Sequence, residues 1–269
     1  MSDERTEFDT GIAEAPARQS FDPQLLFQSS SVSDAGQDVE SRLLDFLPSR
    51  LAATVYQRHD GGSMRPVGRR RGLRPGGLYY SQKMGRLVGY ESDNEKCDFY
   101  RSEIAPDVVD YREQPHTIEG IIDGKARRYT PDREDRFADG RIEIVEVKDE
   151  FEANKDPDYY AKLTYFAEVY ERLDWSFRLT TRDEIKDPAT FGTVEAVQRY
   201  RRASFTAVEI ADVRRRVSRN GQCTIAELAP IFSSEIVALS KLCAMMVARI
   251  IVLDIHSNLE PASIVKLSL

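Results

Sequence analysis

The chain has 269 residues, 41% hydrophobic and 31% charged, with a formal net charge of -7 and three cysteines. That length suits one large domain or two small ones, and the composition suits a soluble globular protein with some polar excess. No stretch is apolar for long enough to span a bilayer, and the first residues lack the basic and apolar regions of a signal peptide. The odd, widely spaced Cys97, Cys223 and Cys243 fit a reducing compartment, so a cytoplasmic location is expected. His59, His116 and His256 are scattered, which argues against a zinc-ligand cluster.

Charge is unevenly placed. Residues 1–50 hold ten acids and four bases, whereas residues 51–90 hold eight bases and one acid. A basic stretch between acidic regions can hold phosphate through its local field, although a solvated face is the plainer reading. Residues 1–40 are rich in Asp, Glu, Ser and Gln, and are expected to form an acidic, disordered arm. Residues 41–77 are expected to be a short helix or docking segment, carrying Leu43, Leu44, Phe46 and Leu47 ahead of Pro48, followed by a mobile Gly/Arg/Pro linker.

A compact domain is predicted over 78–203. A hairpin over 78–90 turns at Gly85, and a helix over 92–104 opens on a capping box of Ser92 and Glu95. Strands follow at 108–112, 116–122, 125–130 and 141–148, with turns at Gly124 and Gly140. A helix over 158–173 presents Tyr160, Leu163, Phe166, Ala167 and Tyr170, and a strand over 175–180 and a helix over 194–202 close the unit. This is an α/β domain, a sheet with helices on its faces. Residues 204–269 read as helix 207–217, a short helix opened by Thr224 and Glu227, helix 233–249, and strands 250–255 and 263–267. That is the order of a small winged-helix domain. Its longest helix offers only Lys241 and Arg249 as bases, so reading DNA there is not favoured.

The chemistry concentrates in Ile142-Glu143-Ile144-Val145-Glu146-Val147-Lys148. Ile142, Ile144, Glu146 and Lys148 share one face of a strand, so an acid and a lysine end an apolar face. Buried charges are costly unless paired or bound to metal. With Asp132 upstream, the pattern is that of a metal-dependent nuclease core. Phosphodiester cleavage needs a cation, acids to hold it, and a positive group near the reacting oxygens. Mg²⁺ takes oxygen ligands and keeps several waters, so two or three carboxylates are enough. Asp132 and Glu146 are the candidate ligands and Lys148 the candidate charge stabiliser. The plainer readings are a strand-end ion pair, a turn acid after Pro131 and, for Glu95, a helix cap.

Five ordered landmarks resemble the TnsA family, the endonuclease subunit of heteromeric bacterial DNA transposases. They are Tyr80-Ser81-x-Lys83-x-Gly85-Arg86; Glu91-Ser92-Asp93-Asn94-Glu95; Val109-Asp110-Tyr111-Arg112-Glu113-Gln114-Pro115; Tyr129-Thr130-Pro131-Asp132 with Val145-Glu146-Val147-Lys148; and the late strand from Trp175 to Ile185. The resemblance implies a restriction-endonuclease-like mixed sheet flanked by helices, with a winged-helix domain after it. It implies Glu95, Asp132 and Glu146 as ligands of Mg²⁺, with Mn²⁺ as a substitute, and Lys148 in the chemistry. It further implies cutting of double-stranded DNA at the 5′ ends of a transposon, beside an integrase-like transposase subunit and an AAA+ ATPase regulator. Arg65, Arg69, Arg70, Arg71, Arg74, Lys83 and Arg86 are the expected phosphate contacts. The family usually continues after Pro-Asp with apolar residues, whereas this chain has Arg133-Glu134-Asp135-Arg136, which predicts a shortened or exposed strand. Two alternatives stand beside this reading: a weakly active or inactive assembly subunit bridging transposase and regulator, and a stand-alone phage or defence nuclease.

Overall fold

The computed structural model describes residues 30–34, 37–46, 51–65, 76–152 and 155–268. Arg69, Arg70, Arg71 and Arg74 lie outside them. Three strands come first: β1 (Ser30–Asp34), β2 (Gln37–Phe46) and β3 (Leu51–Arg58). They correct two expectations, since residues 30–34 and 37–40 pair as strands, and the described residues of 41–57 hold no helix. The reason is non-local: β3 pairs antiparallel with β7 (Thr117–Ile122), setting Ala53 opposite Gly120 and Val55 opposite Ile118. Ala53 and Val55 are buried while Ala52, Thr54 and Tyr56 on the other face are more exposed, the alternation of a half-buried strand.

The hairpin of β4 (Gly77–Ser81) and β5 (Arg86–Tyr90) turns at Gly85, whose φ of +62 favours glycine. Helix α1 (Asp93–Ile104) follows from Ser92, whose side chain accepts from Glu95 N–H. The hairpin is fastened to α1 by the buried carboxylate of Glu103, which accepts from Ser81 Oγ, Gln82 N–H, Lys83 N–H and Tyr111 OH. Then come β6 (Val108–Glu113), β7, β8 (Lys125–Tyr129), β9 (Arg133–Phe137) and β10 (Ile142–Lys148). Helix α2 (Pro157–Arg172) leads to β11 (Ser176–Thr181), the short α3 (Arg182–Ile185) and α4 (Phe191–Tyr200).

Two sheets organise this part. One has the order β1-β2-β3-β7-β8 and the other β11-β10-β9-β6. The single parallel pairing in the second is β10 with β11, with α2 as the crossover between them. Leu163, Phe166, Val169 and Tyr170 of α2 fill the core with Ile118, Tyr129 and Ile144. Tyr160, expected in that stripe, is 48% exposed, because the buried face is set by the sheets rather than by the first apolar residue of the helix. The approach of α2 to β7 is close: a Cβ on Gly120 would lie 2.5 Å from the Tyr165 ring, so a larger residue there would displace that ring.

The charged run after Asp132 is neither short nor exposed. It forms β9, paired on one side with β10 and on the other with β6. Arg133 is fully buried, and its guanidinium pairs with Asp98 of α1 and donates to Asp135 Oδ2 at 3.0 Å. Ser102 adds a hydroxyl to Asp135. Two buried acids from a helix and a strand therefore share one buried cation, the pairing that burial demands.

The C-terminal elements are α5 (Ala207–Asn220), β12 (Cys223–Thr224), α6 (Ile225–Leu228), a 3₁₀ turn, α7 (Glu235–Val247), β13 (Ile251–Leu253) and β14 (Ile264–Leu267). Capping boxes open α5 at Thr206 and α6 at Thr224. Their strands form a small sheet of order β12-β14-β13. The core here also takes in Ile104 of α1 and Val194 and Val197 of α4, so the two halves share packing. The three cysteines are buried and unbridged. Among the described residues no single helix is long and apolar enough to cross a membrane.

His116 is enclosed beside Tyr170 and Trp175, with Nε2 2.7 Å from the Tyr170 hydroxyl, and burial pushes its imidazole down to about 3. The unfolded chain takes up a proton near pH 6.5 and the folded chain does not. The stability from a neutral His116 is thus full above about pH 6.5 and falls by at most about 1.4 kcal/mol per unit as pH drops toward the folded value. Melting temperature measured between pH 7 and 4 is expected to decline less steeply in His116→Gln; equal slopes would refute this.

Candidate active site

Three structural junctions bring the site together. Thr130, Pro131 and Asp132 carry the chain from β8 in one sheet to β9 in the other. β9 pairs with β10 only as far as Val145, opposite Arg133. Past that point Asp132 takes over, and its Oδ2 accepts Val147 N–H at 2.7 Å. The side chain thus continues a ladder that the backbone has left, which fixes its direction toward β10. From behind, Asp132 C=O accepts Gln114 N–H at 2.9 Å. Gln114 sits at φ +42, an uncommon conformation for a non-glycine residue, and is held there by Met64 N–H on its carbonyl and Ser63 Oγ on its side chain.

Glu146 is buried on β10, and both its oxygens are held by tyrosines. Tyr129 OH donates to Oε2 at 2.7 Å and Tyr159 OH to Oε1 at 2.5 Å. Lys148 Nζ lies 2.6 Å from Oε1 and 4.9 Å from the Tyr159 ring centroid. Burial alone would push Lys148 down. The Glu146 carboxylate and the Tyr159 hydroxyl more than reverse this, so its amine is held protonated above the ordinary lysine range. A lysine so held offers positive charge and is not a proton acceptor at neutral pH.

Glu95 reaches the site from the first turn of α1. It closes the helix end, accepting Glu91 N–H on Oε2 at 2.8 Å and Ser92 Oγ on Oε1 at 3.0 Å. It is also electrostatically coupled to the other acids. Burial raises its pKa and Glu146 adds to the rise. Asp132 is pushed well above the usual carboxylate range, first by burial, then by Glu146 and Glu95, against the pull of Val147 N–H and Lys148. Glu95 therefore closes the start of α1 and is also electrostatically coupled to Glu146 and Asp132.

The structure thus brings Glu95, Asp132, Glu146 and Lys148 into one electrostatically coupled cluster. Sequence reasoning missed Tyr159, which the pattern of α2 concealed one place before the exposed Tyr160. It also missed the part played by Tyr129, whose buried hydroxyl needed a partner. Among the expected phosphate contacts, Lys83 is corrected. Its Nζ donates at 2.6 to 2.8 Å to the carbonyls of Ser102 and Ala105 at the C-terminal end of α1, and to that of Val108 at the start of β6. Arg86 is half-buried and paired with Glu113 at 2.9 Å. Arg65 is exposed, 4.0 Å from Glu91.

Residues 105–182 match the family model for the TnsA-like endonuclease N-terminal domain. Over that span the chain is similar to a TnsA-like endonuclease domain. The matched span holds Asp132, Glu146 and Lys148, while Glu95 lies just before it. Comparison with curated proteins gave no match. The TnsA-like domain points to a nuclease role in transposition.

The donor set suits a divalent cation by chemistry. Burial and the charge of Glu146 raise the pKa values of Glu95 and Asp132, a repulsion that a bound cation reverses, and Mg²⁺ needs only one or two carboxylates with water. Among the described residues no group of three acids, histidines or cysteines already stands at ligating spacing, so binding would draw the acids together.

Proposed function

We propose that the protein is a Mg²⁺-dependent DNA endonuclease, with Mn²⁺ as a substitute, that cleaves the 5′ ends of a transposon as one subunit of a heteromeric transposase in the cytoplasm. An integrase-like transposase subunit and an AAA+ regulator are its proposed partners. The catalytic part is read as a restriction-endonuclease-like fold and residues 204–269 as a winged helix. The observation that carries this is the meeting of Glu95, Asp132 and Glu146 beside a protonated Lys148 within a TnsA-like endonuclease domain.

When bound, the cation would polarise the phosphate and lower the pKa of an attacking water. Glu95, Asp132 and Glu146 would hold it. Tyr129 and Tyr159 keep Glu146 in one orientation, so that little rearrangement is left for the reaction itself. Lys148 places its ammonium where charge builds on the reacting oxygens.

Nicking of transposon-end DNA by the full chain with its partner subunits should require Mg²⁺ and stop with chelator, and cuts should map to the 5′ ends. One observation favours a rival. Glu146 is already engaged by Tyr129, Tyr159 and Lys148, as in an idle site within an assembly subunit. Calorimetry separates the two: Mg²⁺ binding lost in Asp132→Asn supports the nuclease, and no Asp132-dependent binding supports the assembly subunit.

A further inference from the structure

A row of cations leads into the site along the edge of the first sheet. Lys162 stands one turn after Tyr159 on α2, with Nζ 4.4 Å from the Tyr159 ring centroid and 5.6 Å from that of Tyr129. These are the two phenols that hold the oxygens of Glu146. Burial lowers the Lys162 pKa, and Glu146, Lys148 and Arg65 all act on it electrostatically. Among the described residues it has no carboxylate partner within ion-pair distance. It is therefore a partly dehydrated cation, steadied by two aromatic faces, next to the acids of the site.

Strand β8 extends the row. It is an edge strand, and its register sets Tyr129 opposite Ile118, Arg127 opposite Gly120, and Lys125 opposite Ile122. Tyr129 stacks on Phe166 of α2, and Gly120 faces Tyr165 of the same helix. With a period of two, Arg127 and Lys125 share the face of Tyr129 and stand exposed. Among the described residues neither has an ion-pair partner. The acid on the neighbouring strand, Glu119, lies on the opposite face and pairs with Arg128. Same-face residues repeat about every 6.8 Å along the strand, close to the rise of two phosphates on one DNA strand.

We infer that Lys162, Arg127 and Lys125 form the track that seats the DNA strand entering the active site, with Lys162 holding the phosphate next to the one attacked. Resting on the nuclease reading, this places the DNA path on α2 and β8 rather than on the hairpin where Lys83 and Arg86 sit. Phosphate contacts of this kind position DNA without reading its sequence.

The test uses the full chain, a fluorescein-labelled duplex and a salt series, with binding followed by anisotropy and cleavage by single-turnover assay in Mg²⁺. The Lys125→Ser, Arg127→Ser double variant should reduce the slope of log affinity against log salt by about two, alike for unrelated sequences. Lys162→Met keeps the packing stem. It should reduce the slope by about one and the saturated rate about tenfold, with Lys162→Arg restoring both. Unchanged slopes in both variants, with wild-type cleavage intact, would overturn the track and leave the nuclease standing. Reduced slopes in a protein that never cleaves would keep the track and remove the nuclease. Absence of any DNA binding by the wild type would remove both.

Discussion

Lys148→Ala is expected to reduce nicking about 10²- to 10³-fold while the protein stays folded, the usual effect of losing one preorganised stabiliser of transition-state charge. The lysine is half-buried and its partner Glu146 keeps hydrogen bonds from Tyr129 and Tyr159, so its removal leaves the carboxylate held. Asp132→Asn should also abolish nicking, and it adds a readout that activity cannot give. Asn Oδ1 can still accept Val147 N–H, but the variant no longer places a negative charge beside Glu146 and Glu95. Without metal, the melting temperature of Asp132→Asn at neutral pH should therefore exceed that of the wild type. With Mg²⁺ the order should shrink or reverse, because only the wild type gains the ligand's binding energy. Full cleavage by Asp132→Asn, or a lower melting temperature for it in chelator, would contradict this account of the acids.

The second large effect concerns stability. Arg133→Met should destabilise the protein by about 3–5 kcal/mol, because it leaves Asp98 and Asp135 buried without their cation. For a chain of this size that corresponds to a fall in melting temperature of roughly 10 °C. Nicking should fall as well, since Arg133 adjoins Asp132 and helps set the start of β9. Neutralising the acids together with the arginine, as Asp98→Leu, Arg133→Met, Asp135→Leu, should recover much of the loss. A single variant as stable as the wild type would show that the trio is not held as a buried unit.

Much of the site was legible in the sequence because its signals are local. Glu146 and Lys148 announce themselves as two charges on an apolar strand face. Asp132 follows Pro131 at a strand end, and Gly85 marks its turn. Glu95 was visible locally only as a cap; its nearness to Glu146 depends on how α1 docks on β10, which no short window contains. The charged run misled for a related reason. Arg133, Glu134 and Asp135 look solvent-seeking until Asp98 and Ser102 of α1 supply partners across the core. Lys83 misled in the opposite sense, since a lysine in a basic stretch suggests phosphate, yet the end of α1 offered it two carbonyls and the start of β6 a third.

What the sequence by itself determined is the set of elements with strong local codes: the capped helices, the hairpin turn, and the strand that bears Glu146 and Lys148. Short-range hydrogen bonds and side-chain period specify these. What only the tertiary structure decided is which charges meet. It placed 41–46 and 51–57 in strands by pairing β2 with β3 and β3 with β7, buried the run after Asp132, and set two tyrosines on Glu146 from opposite elements. Charge pairing and sheet pairing are both long-range along the chain. Their energy depends on partners that the local sequence does not name.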